Sequence, residues 1–140
     1  MDWVFLAGRI LVAIMFFNSG LVTHVLGHKG TAAYARQGRV PLPELSVLAS
    51  GVMIIVGSSL VALGAWGDLG ALSIAAFLVV VTPVMHAFWH ETDPAMRQMQ
   101  KINFLKNVSL LGGALVLFYV WNQLQGSAGL SLTHPLFGRG

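Results

Sequence analysis

Apolar residues along this chain gather into four runs, separated by polar segments of unequal length. A membrane helix needs about 20 mostly apolar residues at ~1.5 Å rise per residue. Trp3 to Thr23 meets that length despite Arg9, and so do Leu45 to Trp66, Leu69 to His90 and Asn103 to Gln123. The N-terminus carries only Asp2, and Phe16 to Gly20 is a poor cleavage site. The first run therefore reads as a retained helix rather than a signal peptide. The pattern predicts an all-α polytopic membrane protein. Residues 1–125 form one four-transmembrane-helix domain, and the Gly/Ser-rich tail 126–140 is expected to be extended or weakly ordered.

The polar segments set the connections. His24 to Glu44 carries Gly27, Gly30, Gly38, Pro41 and Pro43. Thr31 to Gln37 suits a short interfacial helix, because Tyr34 and Arg36 fit the headgroup region. Pro41-Leu42-Pro43 then stops it, since proline lacks a donor and restrains its predecessor. Gly67-Asp68 is too short for anything but a tight turn, so the second and third helices form an antiparallel hairpin. Asp93 to Lys101 reads as a charged loop. Small residues at four-residue spacing let membrane helices approach closely: Ser58 with Ala62, Ala71 with Ala75, Ser109 with Gly113. Pro83 is expected to kink the third helix one turn before His86.

Composition supports the bilayer reading. Charged residues make up 9% of the chain and mean hydropathy is +0.74, whereas soluble domains carry about 25% charged residues. The net charge of +3 reads as topology. No basic patch interleaved with aromatics points to nucleic acid. Lys29, Arg36 and Arg39 mark one loop, and Arg97, Lys101 and Lys106 mark another. By the positive-inside rule both charged loops face the cytoplasm and both termini lie outside. The absence of cysteine excludes thiolate catalysis and iron–sulfur ligation by the chain itself. Any thiol chemistry belongs to a partner or substrate.

Candidate chemistry concentrates in Met85–Pro94, where an uncharged run meets a charge-dense segment. His86 and His90 are four apart, as are His24 and His28, and that spacing places each pair on one helical face. Helices one and three run the same way, so both pairs lie at one surface, with Glu91 and Asp93 at that level. Imidazoles and carboxylates so placed suit zinc or non-haem iron. Two histidines on separate helices suit axial haem ligation. The same histidines with Trp89 suit a quinone. They equally serve as headgroup anchors. Arg9 is costly inside a membrane helix unless it snorkels or is paired. It is expected to reach the interface, Asp68, or a ligand carboxylate or phosphate. Lys106 is expected to snorkel or to contribute to a cofactor site. No phosphate loop, dinucleotide fingerprint, paired-cysteine motif or nucleophile elbow occurs, so no motif identifies an enzyme.

Taken together, the chain resembles the DoxX family of small bacterial four-helix membrane proteins. The resemblance rests on Gly8-Arg9-Ile10-Leu11, Phe17 to Leu21, Pro41 and Pro43, Gly57 with Leu63-Gly64, Met85 to Trp89, Asp93-Pro94 and Asn103 to Asn107. It implies a bacterial inner-membrane location. It also implies an accessory or anchoring subunit of a redox or quinone-linked complex, as in an archaeal thiosulfate:quinone oxidoreductase. The alternatives are a scaffold or assembly factor, or a protein that binds quinone, haem or lipid. A larger membrane or peripheral partner, or a homo-oligomer, follows from the same resemblance. Two positions depart from the family pattern. Thr23-His24 stands where many members carry a lysine, and helix two lacks their acidic residue near Ile54.

Overall fold

The computed structural model describes residues 2–124 and 130–137. Five α-helices follow in order: α1 (Asp2–Asn18), α2 (His28–Gln37), α3 (Pro43–Leu63), α4 (Gly67–Met85) and α5 (Pro94–Leu124). A π-helical segment, Ser19–Leu26, extends α1, and a 3₁₀ turn, Phe88–His90, lies between α4 and α5. The described residues include no strand. Four helical spans are long and apolar enough to cross a membrane, and the short α2 is not among them. The protein is thus an all-α membrane bundle of four spans plus one short helix.

Packing follows the order α1, α3, α4, α5, with α2 lying against α3 near the π-helical segment. Phe16 of α1, Val61 of α3, Ile74 and Leu78 of α4 and Ala114 of α5 form the buried core. Most large apolar side chains instead point outward, including Leu11, Val52, Val80 and Val116. A soluble bundle would not leave so much apolar surface exposed. A lipid-facing bundle does so by design of its solvent.

Several boundaries differ from the hydropathy reading. α5 begins at Pro94, so the segment expected to be a charged loop is two turns of helix. Asp93 starts it: its carboxylate accepts the Met96 backbone N–H at 2.8 Å, and Pro94 occupies the first helical position, where its missing donor costs nothing. The α3–α4 turn lies at Gly64–Trp66, with Gly64 and Trp66 in the left-handed region, and Asp68 sits in the first turn of α4. Among the small-residue pairs, Ser58, Ala71 and Ala75 are buried as expected. Ser109 and Gly113 face outward, and a side chain at Gly113 would meet nothing. Over its described part the tail, residues 130–137, has neither helix nor strand and packs against the α3–α4 turn. Residues 126–129 and 138–140 of that expected tail lie outside the described residues.

Candidate functional site

Histidine placement begins with two helix breaks. The α-helix gives way to π geometry at Ser19, and the segment ends at Gly27 before α2 starts at His28. His24 and His28 therefore do not share one α-helical face. α4 likewise ends at Met85, and His86 has φ −124° and ψ 40°. His86 and His90 therefore lie across a helix end, and the expected four-residue pairing does not form. Among the described residues, no three His, Cys, Asp or Glu side chains gather closely enough to hold a metal. Glu91 lines the mouth of the bundle, and Asp93 caps α5.

His24 is buried against α3. Its Cβ packs on Gly51, where any side chain would come within 2.5 Å of that Cβ. The ring meets Phe77 edge-on, with centroids 5.7 Å apart. Its Nδ1 lies 3.0 Å from the Ser19 carbonyl. A carbonyl only accepts, so Nδ1 carries the proton and Nε2 of the neutral ring is an acceptor.

His86 reaches the same protonation pattern through a longer network. Tyr34 of α2 donates its hydroxyl to the Met85 carbonyl at 3.1 Å. Having donated there, the hydroxyl must accept from Gln100 Nε2, which lies 2.6 Å away. That fixes the Gln100 amide, and its Oε1 accepts from His86 Nδ1 at 2.8 Å. His86 therefore also presents Nε2 as a free acceptor. Three elements, α2, the end of α4 and α5, are joined by this chain of bonds.

Both histidines line a cavity of about 720 Å³ between the helices. Its walls are mostly apolar, with Met15, Phe77, Leu78 and Leu110 among them. Lys106 and Asn107 of α5 line it too. Lys106 Nζ donates to Asn103 Oδ1 at 3.3 Å, while Asn107 is largely buried. A second cavity of about 560 Å³ lies at the mouth, lined by Arg39, Trp89, His90 and Glu91. Tyr34, Arg39 and Met85 line both. Arg39 on this rim has φ of 57°, a conformation that costs a non-glycine residue about 1–3 kcal/mol.

Arg9 lies at the other end of the bundle, away from the histidines. It neither snorkels nor pairs with Asp68. It is 1% exposed, donates Nη1 to Ser131 Oγ at 2.7 Å and bonds the Leu130 carbonyl through Nη2. The guanidinium also stands 5.8 Å from the ring centres of Phe5 and Trp121. Asp68 accepts the Phe137 backbone N–H at 2.7 Å. The expected snorkelling fails because the tail brings acceptors to the charge inside the fold.

Of the cofactor candidates, His86 and Lys106 thus face the inner cavity, Trp89 and His90 face its mouth, and Arg9 belongs to neither. Sequence reasoning missed Gln100, which it placed in a loop, and the pairing role of Tyr34. Gln100 stands among Arg97, Gln98 and Lys101, so no local signal set it apart. No curated protein and no solved structure matches the chain. The DoxX family pattern matches residues 4–87, a stretch that carries α1 to α4, the buried Arg9 and both cavity histidines. On that match, the chain belongs to the DoxX family.

Proposed function

We propose that this protein is an accessory membrane subunit of a quinone-linked redox complex, and that its inner cavity holds the quinone ring. The supporting observation is the combination of one apolar cavity with two imidazole acceptors and the Lys106 and Asn107 donors. Ligand sites typically measure ~300–1,000 Å³, apolar with a few convergent polar groups. A quinol offers two hydroxyl donors and a quinone two carbonyl acceptors. His24 and His86 suit the first, and Lys106 and Asn107 suit the second. A cavity with both acceptors and donors fits a ligand that exists in both forms. With no cysteine in the chain, any thiol chemistry that feeds the quinone belongs to a partner protein, which the subunit anchors.

The positive residues of α2, of the α2–α3 turn and of the start of α5 lie at the histidine end. That placement supports a cytoplasmic mouth. A phosphatase reporter active only outside the cytoplasm, fused after Gly140, should be active. An inactive phosphatase fusion there, with an active cytoplasmic reporter, reverses this orientation.

Solvent extraction of the purified protein tests the ligand. Near-stoichiometric quinone is expected, and it should be lost in the His24→Ala/His86→Ala double variant while the helices persist. Two histidine acceptors on one cavity also fit a haem, which a Soret absorption band would reveal in place of quinone. Protein free of both, co-purifying with one larger partner, would establish a scaffold.

A further inference from the structure

The Arg9 end holds an arrangement that the cavity does not use. Residues 130–137 fold back across the α3–α4 turn and are pinned at both ends. Arg9 takes the Leu130 carbonyl and the Ser131 hydroxyl, and Asp68 takes the Phe137 N–H. Between them, the backbone N–H groups of Leu132 and Thr133 lie 3.1 and 3.2 Å from the Gly64 carbonyl. Thr133 Oγ1 accepts the Trp66 N–H at 2.8 Å. Each of these bonds lands on a group that lipid could not satisfy: a buried charge, a carbonyl left over at a helix end, a carboxylate.

The segment's side chains behave in the opposite way. Leu130, Leu132, Leu136 and Phe137 are exposed, Leu132 at 70%. The only ionisable side chain from 130 to 137 is His134. Exposed Trp3, Trp66 and Tyr119 stand at the same end of the helices, where aromatic rings mark the edge of the lipid-facing surface. The segment's apolar side chains lie at that same end, next to Trp66, whose N–H is bound by Thr133.

We propose that residues 130–137 form an interfacial strap whose partner is the bilayer surface. Its polar backbone is bound to the bundle, and its apolar side chains enter the boundary between headgroups and acyl chains, as in a monotopic anchor. Arg9 and Asp68 are positioning residues: they hold the strap at that depth. An arginine inside a span thereby serves to tether the distal segment rather than to contact solvent or the cavity ligand.

The chain has no cysteine, so Leu132→Cys, at a side chain outside the core, accepts a single polarity-sensitive fluorophore. The labelled protein is reconstituted in phosphatidylcholine vesicles carrying spin labels near the headgroup or near the acyl-chain end. Blue-shifted emission is expected, quenched more strongly by the shallow label and unchanged as lipid is raised over protein. Emission as in water, without quenching, overturns the proposal. A blue shift that vanishes on dilution into lipid overturns it in favour of a second copy of this chain. Arg9→Gln and Ser131→Ala are each expected to red-shift the emission and weaken shallow quenching, with helix content held by circular dichroism. Unchanged emission in Ser131→Ala and in a folded Arg9→Gln variant would remove the positioning role.

Discussion

At the scale of single residues, the site depends on which imidazole nitrogen carries the proton. Both cavity histidines have Nδ1–H engaged by an oxygen acceptor, so both offer Nε2 to a ligand. Gln100 sets this state for His86. Gln100→Leu would leave the half-buried His86 Nδ1–H without its acceptor and the exposed Tyr34 hydroxyl without its donor, a net loss of about 0.5–1.5 kcal/mol per bond. A lower thermal midpoint is expected in detergent. Nitrogen-15 histidine spectra should show His86 losing its single tautomer while His24 keeps its own. Gly67 is a different kind of constraint. A Cβ there would lie 2.2 Å from the Trp121 ring, so Gly67→Ala should destabilise by about 1–3 kcal/mol, the usual penalty for overpacking. Trp121 packs on Arg9 and Gly67 together, and the loss should appear as a lower midpoint with altered tryptophan emission.

At the scale of elements, breaks in helices matter as much as the helices. The π-helical segment lets His24 settle against Gly51, and such departures from α geometry often mark functional positions. The end of α4 at Met85 turns His86 toward α5, and the 3₁₀ turn carries Trp89 and His90 to the mouth. Trp89 packs edge-on against Phe104, with centroids 5.7 Å apart, which ties that turn to α5. The start of α5 depends on Asp93. Asp93→Ala should cost about 1 kcal/mol, as loss of an N-cap does. Hydrogen exchange should speed up at the Met96 amide and its neighbours, with little change in the middle of α5.

At the scale of the whole molecule, the bundle has two ends with separate tasks. One end opens through Tyr34, Arg39 and Met85 into an apolar cavity. The other is closed by the α3–α4 turn and the strap. The two can be separated experimentally. Ser50 lines the cavity, and its hydroxyl donates to the Val47 carbonyl of its own helix. Ser50→Phe should obstruct part of the cavity, abolishing quinone retention while leaving the thermal midpoint unchanged or higher. Retained quinone in that variant would place the ligand elsewhere. The strap label should report the same emission in Ser50→Phe as in the parent, because no bond among the described residues joins the two ends.

Some of this architecture is written locally and was readable from the chain alone. Hydrophobic run length decides which segments cross a bilayer, because each turn of helix satisfies its own backbone and the remaining transfer energy is additive along the run. That logic found the four spans, the short helix before Pro41 and the anomaly of Arg9, and the residue pattern found the family. It failed wherever a neighbour distant in sequence decided the outcome. Periodicity assumed unbroken helices through His24–His28 and His86–His90, yet the breaks respond to packing on α3 and bonding to α5. Hydropathy discarded the charged stretch before Asn103, although an N-cap and the Gln100 bonds make it helix. Arg9 looked like a snorkelling charge because its acceptors lie 121 and 122 residues away. A bond between groups so far apart has no local signature. Sequence by itself determined that this chain crosses a membrane and where its polar groups are affordable. Only the tertiary structure decided which of them meet, because that depends on how the helices approach one another.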